Sequence, residues 1–418
     1  MDKLVIIKEA WNMFKRRQKL RLKKMHQFEG NDIEICEQIV KQCFNGRYFQ
    51  TSLGHFSAFY MRDFGICCVA LLELGYKNEV KKTLQFALNI YQKNNRITTT
   101  ITKKGEVVDI FSYSPDSLAF LLRSLRVAKL NDLIKTYEPF LNEKIKEYYE
   151  LVIDKKTGLV RKDKQFSSMK DHSKVKSTMY NNSMVAMLKQ EIELINTQNL
   201  KPEIKLIEIK LINPFKEYDY KLLLLQYFWN NSYFNDGLKD LENKKEDKNK
   251  TEYIAGDANV FPYWCDIYPM SANKINASTR KMFASSLQAI QKERLDQPMA
   301  LCYTKEQLQS KYLFLQSILA NNYEGNTIWI HLGLCYLDLI AKYDQKLLEI
   351  YLEQYKEMIV KHKNFLEIYN KNKTIFKTFF YHCDEGMLWA SKYLQLRRKL
   401  IEMNNKIINS KKSKEYKP

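Results

Sequence analysis

The stretch Phe56-Ser57-Ala58-Phe59-Tyr60-Met61-Arg62-Asp63-Phe64-Gly65-Ile66-Cys67-Cys68-Val69-Ala70-Leu71-Leu72-Glu73-Leu74-Gly75 sets an Arg-Asp pair at the head of a very apolar segment that stops on glycine. Apolar residues recurring at i, i+3, i+4 and i+7 predict a helix over 56–75. The same periodicity returns near 32–46, 78–93, 115–129, 132–152, 178–195, 216–230, 257–268, 277–292, 304–320, 327–343, 345–363 and 384–404. Only 12 Gly and 8 Pro punctuate the 418 residues, and strands are not suggested. Breaks are expected at Gly75, at the polar and β-branched Thr98 to Val108, at Gly158, and at the charge-rich Lys239 to Lys250. Helices of about five turns on alternately short and long connections suit a closed ring of helical hairpins, and the absence of a fixed-period repeat argues against a solenoid. The expected organisation is a basic N-terminal helical extension over 1–30, one all-helical barrel over 31–408, and a disordered basic tail over 409–418.

Composition narrows the function classes. With 45% hydrophobic and 13% aromatic residues the chain can bury a large core and is not disordered. The 68 basic against 48 acidic residues give +20, yet Lys and Arg are spread along the whole chain without a nucleic-acid module to organise them. They read as solvated faces, and no specific nucleic acid is expected. The eight Cys lie mostly in apolar runs with no paired C-x-x-C framework, so they read as buried thiols of a cytoplasmic protein. The apolar run Leu4-Val5-Ile6-Ile7 is too short for a secretory core or a membrane span.

Candidate functional residues stand where polar groups lack a structural reason. Arg62 and Asp63 are adjacent, so on a helix they point in different directions and are not each other's ion pair. The loop from Gly158 to His172 carries two carboxylates, Asp163 and Asp171. The aromatic stretches around Trp264 and Trp329 are of the kind that stack on sugar rings, although aromatics in helical proteins more often fill cores. Glu367 lies among Phe365, Leu366, Ile368 and Tyr369, which desolvates its carboxyl and suits acid-base chemistry.

Taken in order, Arg62-Asp63, the region from Phe111 to Leu125 with Tyr113 and Asp116, the loop from Phe166 to Asp171, and Leu366-Glu367-Ile368-Tyr369 resemble the six-hairpin glycosidases. The likeness is to the glucoamylase family and the glucosidase domain of glycogen debranching enzymes. It implies an (α/α)6 barrel and inverting, exo-acting hydrolysis of α-linked gluco-oligosaccharides, with neither metal nor cofactor. Ser168-Met169-Lys170-Asp171 resembles a segment ending in Met-Asp whose Asp is the catalytic acid, here with a Lys inserted. Glu367-Ile368-Tyr369 resembles the segment bearing the catalytic base. Arg62, Asp63 and Asp116 are implied as sugar ligands, with Trp264 and Trp329 as stacking surfaces. Glu385 is the reserve base, although it reads as the first turn of a helix.

Alternatives stay open. Sliding the chain against trehalase-like relatives sets Tyr180-Asn181-Asn182-Ser183 where those enzymes carry an acidic residue, and Asn181 cannot donate a catalytic proton. The chain is then a catalytically altered carbohydrate-binding barrel, either inactive or a lyase-like or phosphorolytic variant, or else depends on Asp171 for the acid. A basic scaffold that binds nucleic acid is the competing class. A sugar epimerase calls for His as acid and base, and only His172, His331 and His382 fall near these segments.

Overall fold

The computed structural model describes residues 11, 14–20, 25–109, 112–198, 208–238, 254–270, 277–306 and 320–415. Two kinds of helix alternate along them. Helix α1 is Asp32–Cys43, α2 Met61–Glu73, α3 Lys77–Lys93, α4 Asp116–Val127, α5 Asn131–Thr136, α6 Glu138–Val152 and α7 Met179–Gln198. Then follow α8 Tyr220–Phe228, α9 Gly256–Trp264, α10 Ala277–Lys292, α11 Ile330–Tyr343, α12 Gln345–His362 and α13 Ala390–Glu415. Helix α3 buries one stripe, Val80, Thr83, Leu84, Ala87, Leu88 and Tyr91, which is the spacing of a helix with one wet face. Every residue of α9 is buried, and so is α11 from Ile330 through Leu337. A helix apolar all round must sit inside others.

The packing follows from that difference. Helices α2, α4, α7, α9, α11 and α13 each pack on the next, and α13 returns to α2. This is a closed inner ring of six. Outside it, α3 packs on α2 and α4, α8 on α7, α10 on α9, α12 on α11 and α13, and α1 on α13. The fold is an (α/α)6 barrel, as the resemblance implies. Close approach inside it needs small residues. A Cβ on Gly65 of α2 would fall 2.4 Å from the Phe120 ring of α4, and one on Gly333 of α11 would fall 2.3 Å from the Ala300 carbonyl oxygen.

Three expectations are corrected. Short strands do occur: β1 Phe59–Tyr60 pairs with β2 Thr100–Ile101, which pairs with β3 Val107–Val108, and β4 Ile328–Trp329 pairs with β5 Ile368–Tyr369, all antiparallel. Two residues are too few to show an alternating pattern. The helix expected from 56 therefore starts at Met61 and the one expected from 384 starts at Ala390. The helix expected over 132–152 divides at Tyr137 because Pro139 stands in the first turn of α6. Helix α13 continues to Glu415 in a run without Gly or Pro. The Lys239 to Lys250 loop and most of the helix expected over 304–320 lie outside the described residues. Among the described residues no helix is long and apolar enough to cross a membrane.

Candidate active site

The inner helices bring their N-terminal ends together. Arg62 and Asp63 stand in the first turn of α2, Asp116 opens α4, Tyr180 and Asn181 belong to the first turn of α7, Asp257 to that of α9, and His331 to that of α11. Trp389 immediately precedes α13. Several helix N-termini thus direct unpaired backbone N–H groups and positive dipole ends at one place. Polar chemistry concentrates there.

On one side lies Asp171. The Arg62 fork donates through Nη1 and Nη2 to both of its oxygens, each at 3.3 Å, and the Ser167 hydroxyl donates to it as well. Arg62 Nε donates to Asp116, which also accepts from Ser114 (2.8 Å) and from the Tyr180 phenol (2.7 Å). Burial works against the Arg62 charge, yet Asp116 and Asp171 more than offset it and the guanidinium stays charged. Asp63 points elsewhere, accepting the Trp389 indole N–H at 2.9 Å. Burial pushes Asp63 up to about 6, against the pull of Arg62 and the indole. Neighbours in sequence with separate partners are what helical geometry requires.

The inserted Lys170 turns inward. Its ammonium is fully buried and donates to Asp236 (2.9 Å) and Asp257 (2.7 Å). Burial pushes Asp257 up, and Lys170 opposes it. Lys170 and Asp171 therefore face opposite ways, one anchoring the loop and one presented to Arg62. The loop's other carboxylate, Asp163, is exposed and pairs with Arg161, which holds it down at about 2. It takes no part in the site. Next to Asp171, the His172 ring lies 2.6 Å from the buried Glu324 carboxylate; burial alone would lower its pKa, but Glu324 prevails and raises it.

On the other side lies Glu367, 1% exposed. It accepts from the Tyr323 phenol (2.8 Å), the Tyr381 phenol (2.6 Å) and the Asp384 backbone N–H (2.8 Å). Burial pushes it up to about 7, and the Asp384 charge adds to this while its three donors pull the other way. Tyr323 joins the two sides, since its ring stands 6.1 Å from that of His172 and its hydroxyl bonds Glu367. Trp329 borders the same ring at 4.8 Å and donates its indole N–H to the Tyr323 carbonyl. His331 packs between Trp329 and Trp389, and burial lowers it to about 3.

Other expected residues fall elsewhere. Trp264 ends α9, about 12 Å along the helix from its first residue, and its indole donates to Asp338 while Arg123 covers its face. It is core at the far end of the ring, as a nearly all-buried helix demands. Glu385 precedes α13 rather than opening it, and accepts from Arg16 (2.6 Å) and the His26 N–H (2.9 Å). Asn181 has a buried carboxamide oxygen without a partner. Sequence reasoning passed over Tyr323, Tyr381, Asp384, His55 and Asp257. Tyr381 and Asp384 lie in the segment that supplied Glu385, and a pattern of residue types does not tell which of two adjacent carboxylates turns inward. Among the described residues no group of His, Cys, Asp and Glu is arranged to hold a metal ion.

No protein-family model matches the sequence, and no curated protein sequence is significantly similar to it. Solved structures are similar. A glycosidase variant in complex with glucose superposes with a TM-score of 0.57 at 9% identity, over 88% of this chain and 98% of that one. A rhamnosidase from Klebsiella oxytoca with rhamnose bound gives 0.55 at 9% identity, over 88% and 65%. A Streptococcus pneumoniae member of a family of metal-independent alpha mannosidases, in a non-productive complex with alpha-1,6-mannobiose, gives 0.54 at 11% identity, over 94% and 98%. At such identities what the chain shares with these enzymes is their fold, the (α/α)6 barrel.

Proposed function

We propose that this chain is a glycoside hydrolase, an inverting and exo-acting α-glucosidase of the glucoamylase or debranching type. The observation that carries the reading is the pair of carboxyl groups at the N-terminal end of the ring, Asp171 on Arg62 and Glu367 between two phenols, joined through Tyr323. Asp171 protonates the glycosidic oxygen and Glu367 activates a water on the opposite face of the sugar. Inversion needs about 6.5–9.5 Å between the two carboxyls to seat that water. Arg62, Asp63 and Asp116 bind hydroxyls, and Trp329 offers an aromatic edge to the ring. The fold shared with glycosidases supports this reading, and a cytoplasmic location accords with eight buried, unpaired thiols.

One observation favours a reversed assignment, in which Glu367 is the proton donor. Glu367 is the carboxyl raised to about 7, while Asp171 faces a cation. The pH profile separates the two. With Glu367 as base, kcat/KM falls as pH drops through about 7; with Glu367 as acid, it falls as pH rises through the same value. Incubation with maltotriose, isomaltose, trehalose, glycogen and α-1,6-mannobiose, with the anomer of the released sugar followed by NMR, tests activity, linkage and stereochemistry together. A β-anomeric first product from an α-linked glucoside is expected, and no release from any of them defeats the proposal.

A further inference from the structure

The N-terminal segment reaches the site from outside the ring. Residues 14–20 are helical, and Arg16 projects from them onto the two loops that flank Glu367. Its guanidinium donates to Asp384 (2.8 Å) and Glu385 (2.6 Å), and Nη1 stands 2.8 Å from His55 Nδ1. An arginine can only donate, so His55 Nδ1 accepts and the ring proton resides on Nε2. That nitrogen lies 3.1 Å from the Tyr381 hydroxyl, which in turn donates to Glu367 at 2.6 Å. The donors run one way, Arg16 to His55 to Tyr381 to Glu367. A neutral ring is what this direction needs, and burial lowers His55 to about 4.

A second path runs through Asp384. Its carboxylate accepts from Arg16 and from the backbone N–H groups of His55 (3.0 Å) and Phe56 (2.9 Å), while its own backbone N–H donates to Glu367. Burial works against its charge, but the His55 ring where it is protonated, and at any pH Arg16, the Ser52 hydroxyl and the Phe56 N–H, hold it below the usual carboxylate range. Room for the pair depends on Gly54. A Cβ there would fall 1.8 Å from Asp384 Oδ1 and 2.8 Å from Arg16 Cζ.

We propose that Arg16 is a positioning residue of the active site: by fixing the His55 tautomer and neutralising Asp384, the N-terminal segment orients Tyr381 on Glu367 and tunes this carboxyl for its acid-base role. The proposal deepens the hydrolase reading and rests on it for its kinetic part. The groups that face Glu367 directly are Tyr323, Tyr381 and Asp384. Behind Tyr323 stand His172 and Glu324, and behind Asp384 and Tyr381 stand His55, His382, Arg16 and Glu385. Of these, Arg16 is the strong permanent cation on the Asp384 side, so its removal leaves Asp384 uncompensated against Glu367.

The test compares Arg16→Met, Arg16→Lys and Asp384→Asn in the full-length chain. With Arg16→Met the acid limb of kcat/KM moves up by about one pH unit, equivalent to a tenfold change in proton affinity, and kcat falls while KM stays within about twofold. Arg16→Lys brings the limb most of the way back. Asp384→Asn, which removes the negative neighbour, moves it down. Opposite shifts from two partners of one ion pair are not produced by loosened packing. The same variants carrying 13C-labelled glutamate, with Glu367→Gln to identify the resonance, report the Glu367 titration without any turnover. An unmoved resonance, shifts of the same sign, or a change in KM alone overturns the proposal. A wild-type chain that releases no sugar but shows the opposed 13C shifts overturns the hydrolase reading and leaves the positioning of Glu367 by Arg16 standing.

Discussion

The two carboxyls of the site are held in opposite ways. Asp171 sits on a guanidinium, backed by an ion-paired layer of Arg62, Asp116 and the Lys170 triad. Glu367 meets two phenols and one amide, and the charge that acts on it is the carboxylate of Asp384. A cation holds a carboxylate by charge, whereas neutral donors hold it by geometry and leave its proton affinity open to burial. The first arrangement ties its loop to the ring through ion pairs. The second places a proton within reach of neutral pH.

The comparison breaks most sharply at the carboxyls themselves. Glu367→Gln is expected to lower oligosaccharide turnover about 10²- to 10⁴-fold with the helical signal unchanged in circular dichroism. Asp171→Asn should lower it by a similar factor on oligosaccharides but spare α-glucosyl fluoride, whose leaving group needs little protonation. Loss of fluoride hydrolysis in Asp171→Asn with retention in Glu367→Gln would establish the reversed roles.

A smaller effect tests the charged side. Lys170→Met leaves Asp236 and Asp257 buried together without their cation, an arrangement that costs about 3–5 kcal/mol. Denaturant unfolding should register that loss, together with weaker activity from a displaced Asp171. Unchanged stability at low pH would mean that the triad's carboxyls neutralise by taking up protons, which an unfolding midpoint that falls as pH rises from 5 to 8 would expose.

The smallest effect belongs to the neutral side and depends on pH. Glu367 is raised to about 7 from an ordinary 4.5, so between those values the folded chain binds more protons than the unfolded one. Its contribution to stability is present below about 4.5 and is lost as pH rises through 7. Glu367→Gln abolishes that dependence. Relative to wild type, the variant should therefore gain on going from pH 4.5 to pH 8, by roughly 2–3 kcal/mol at most, measured as the difference between the two unfolding curves. A difference that does not change with pH would show that the wild-type carboxyl titrates normally.

Much of this molecule is legible in its sequence, but unevenly. Helices of three turns or more declare themselves by spacing, and an outer helix such as α3 does so in full because one face is wet. Inner helices such as α9 are buried all round, so their limits blur, and Trp264, expected as a stacking surface, is covered by its neighbours on α4 and α11. The burial of Glu367 is legible because its apolar flanks survive in any backbone arrangement. Tyr323 and His55 are not, since each gains meaning only through a partner tens to hundreds of residues away. Lys170 looked like a defect in a motif; in the folded chain it is the anchor that lets its neighbour face the other way.

Ring closure has a kinetic consequence. Trp389 and Asp63, which meet across the seam between α13 and α2, are 326 residues apart in the chain, and Ser52 and Asp384 are 332 apart. Contacts of such separation are slow to form, because the loop entropy is lost before the contact is gained. Individual hairpins can condense early from local contacts. The candidate site is assembled only once the first and last of them have met, so a chain still emerging from the ribosome can be almost wholly helical without it.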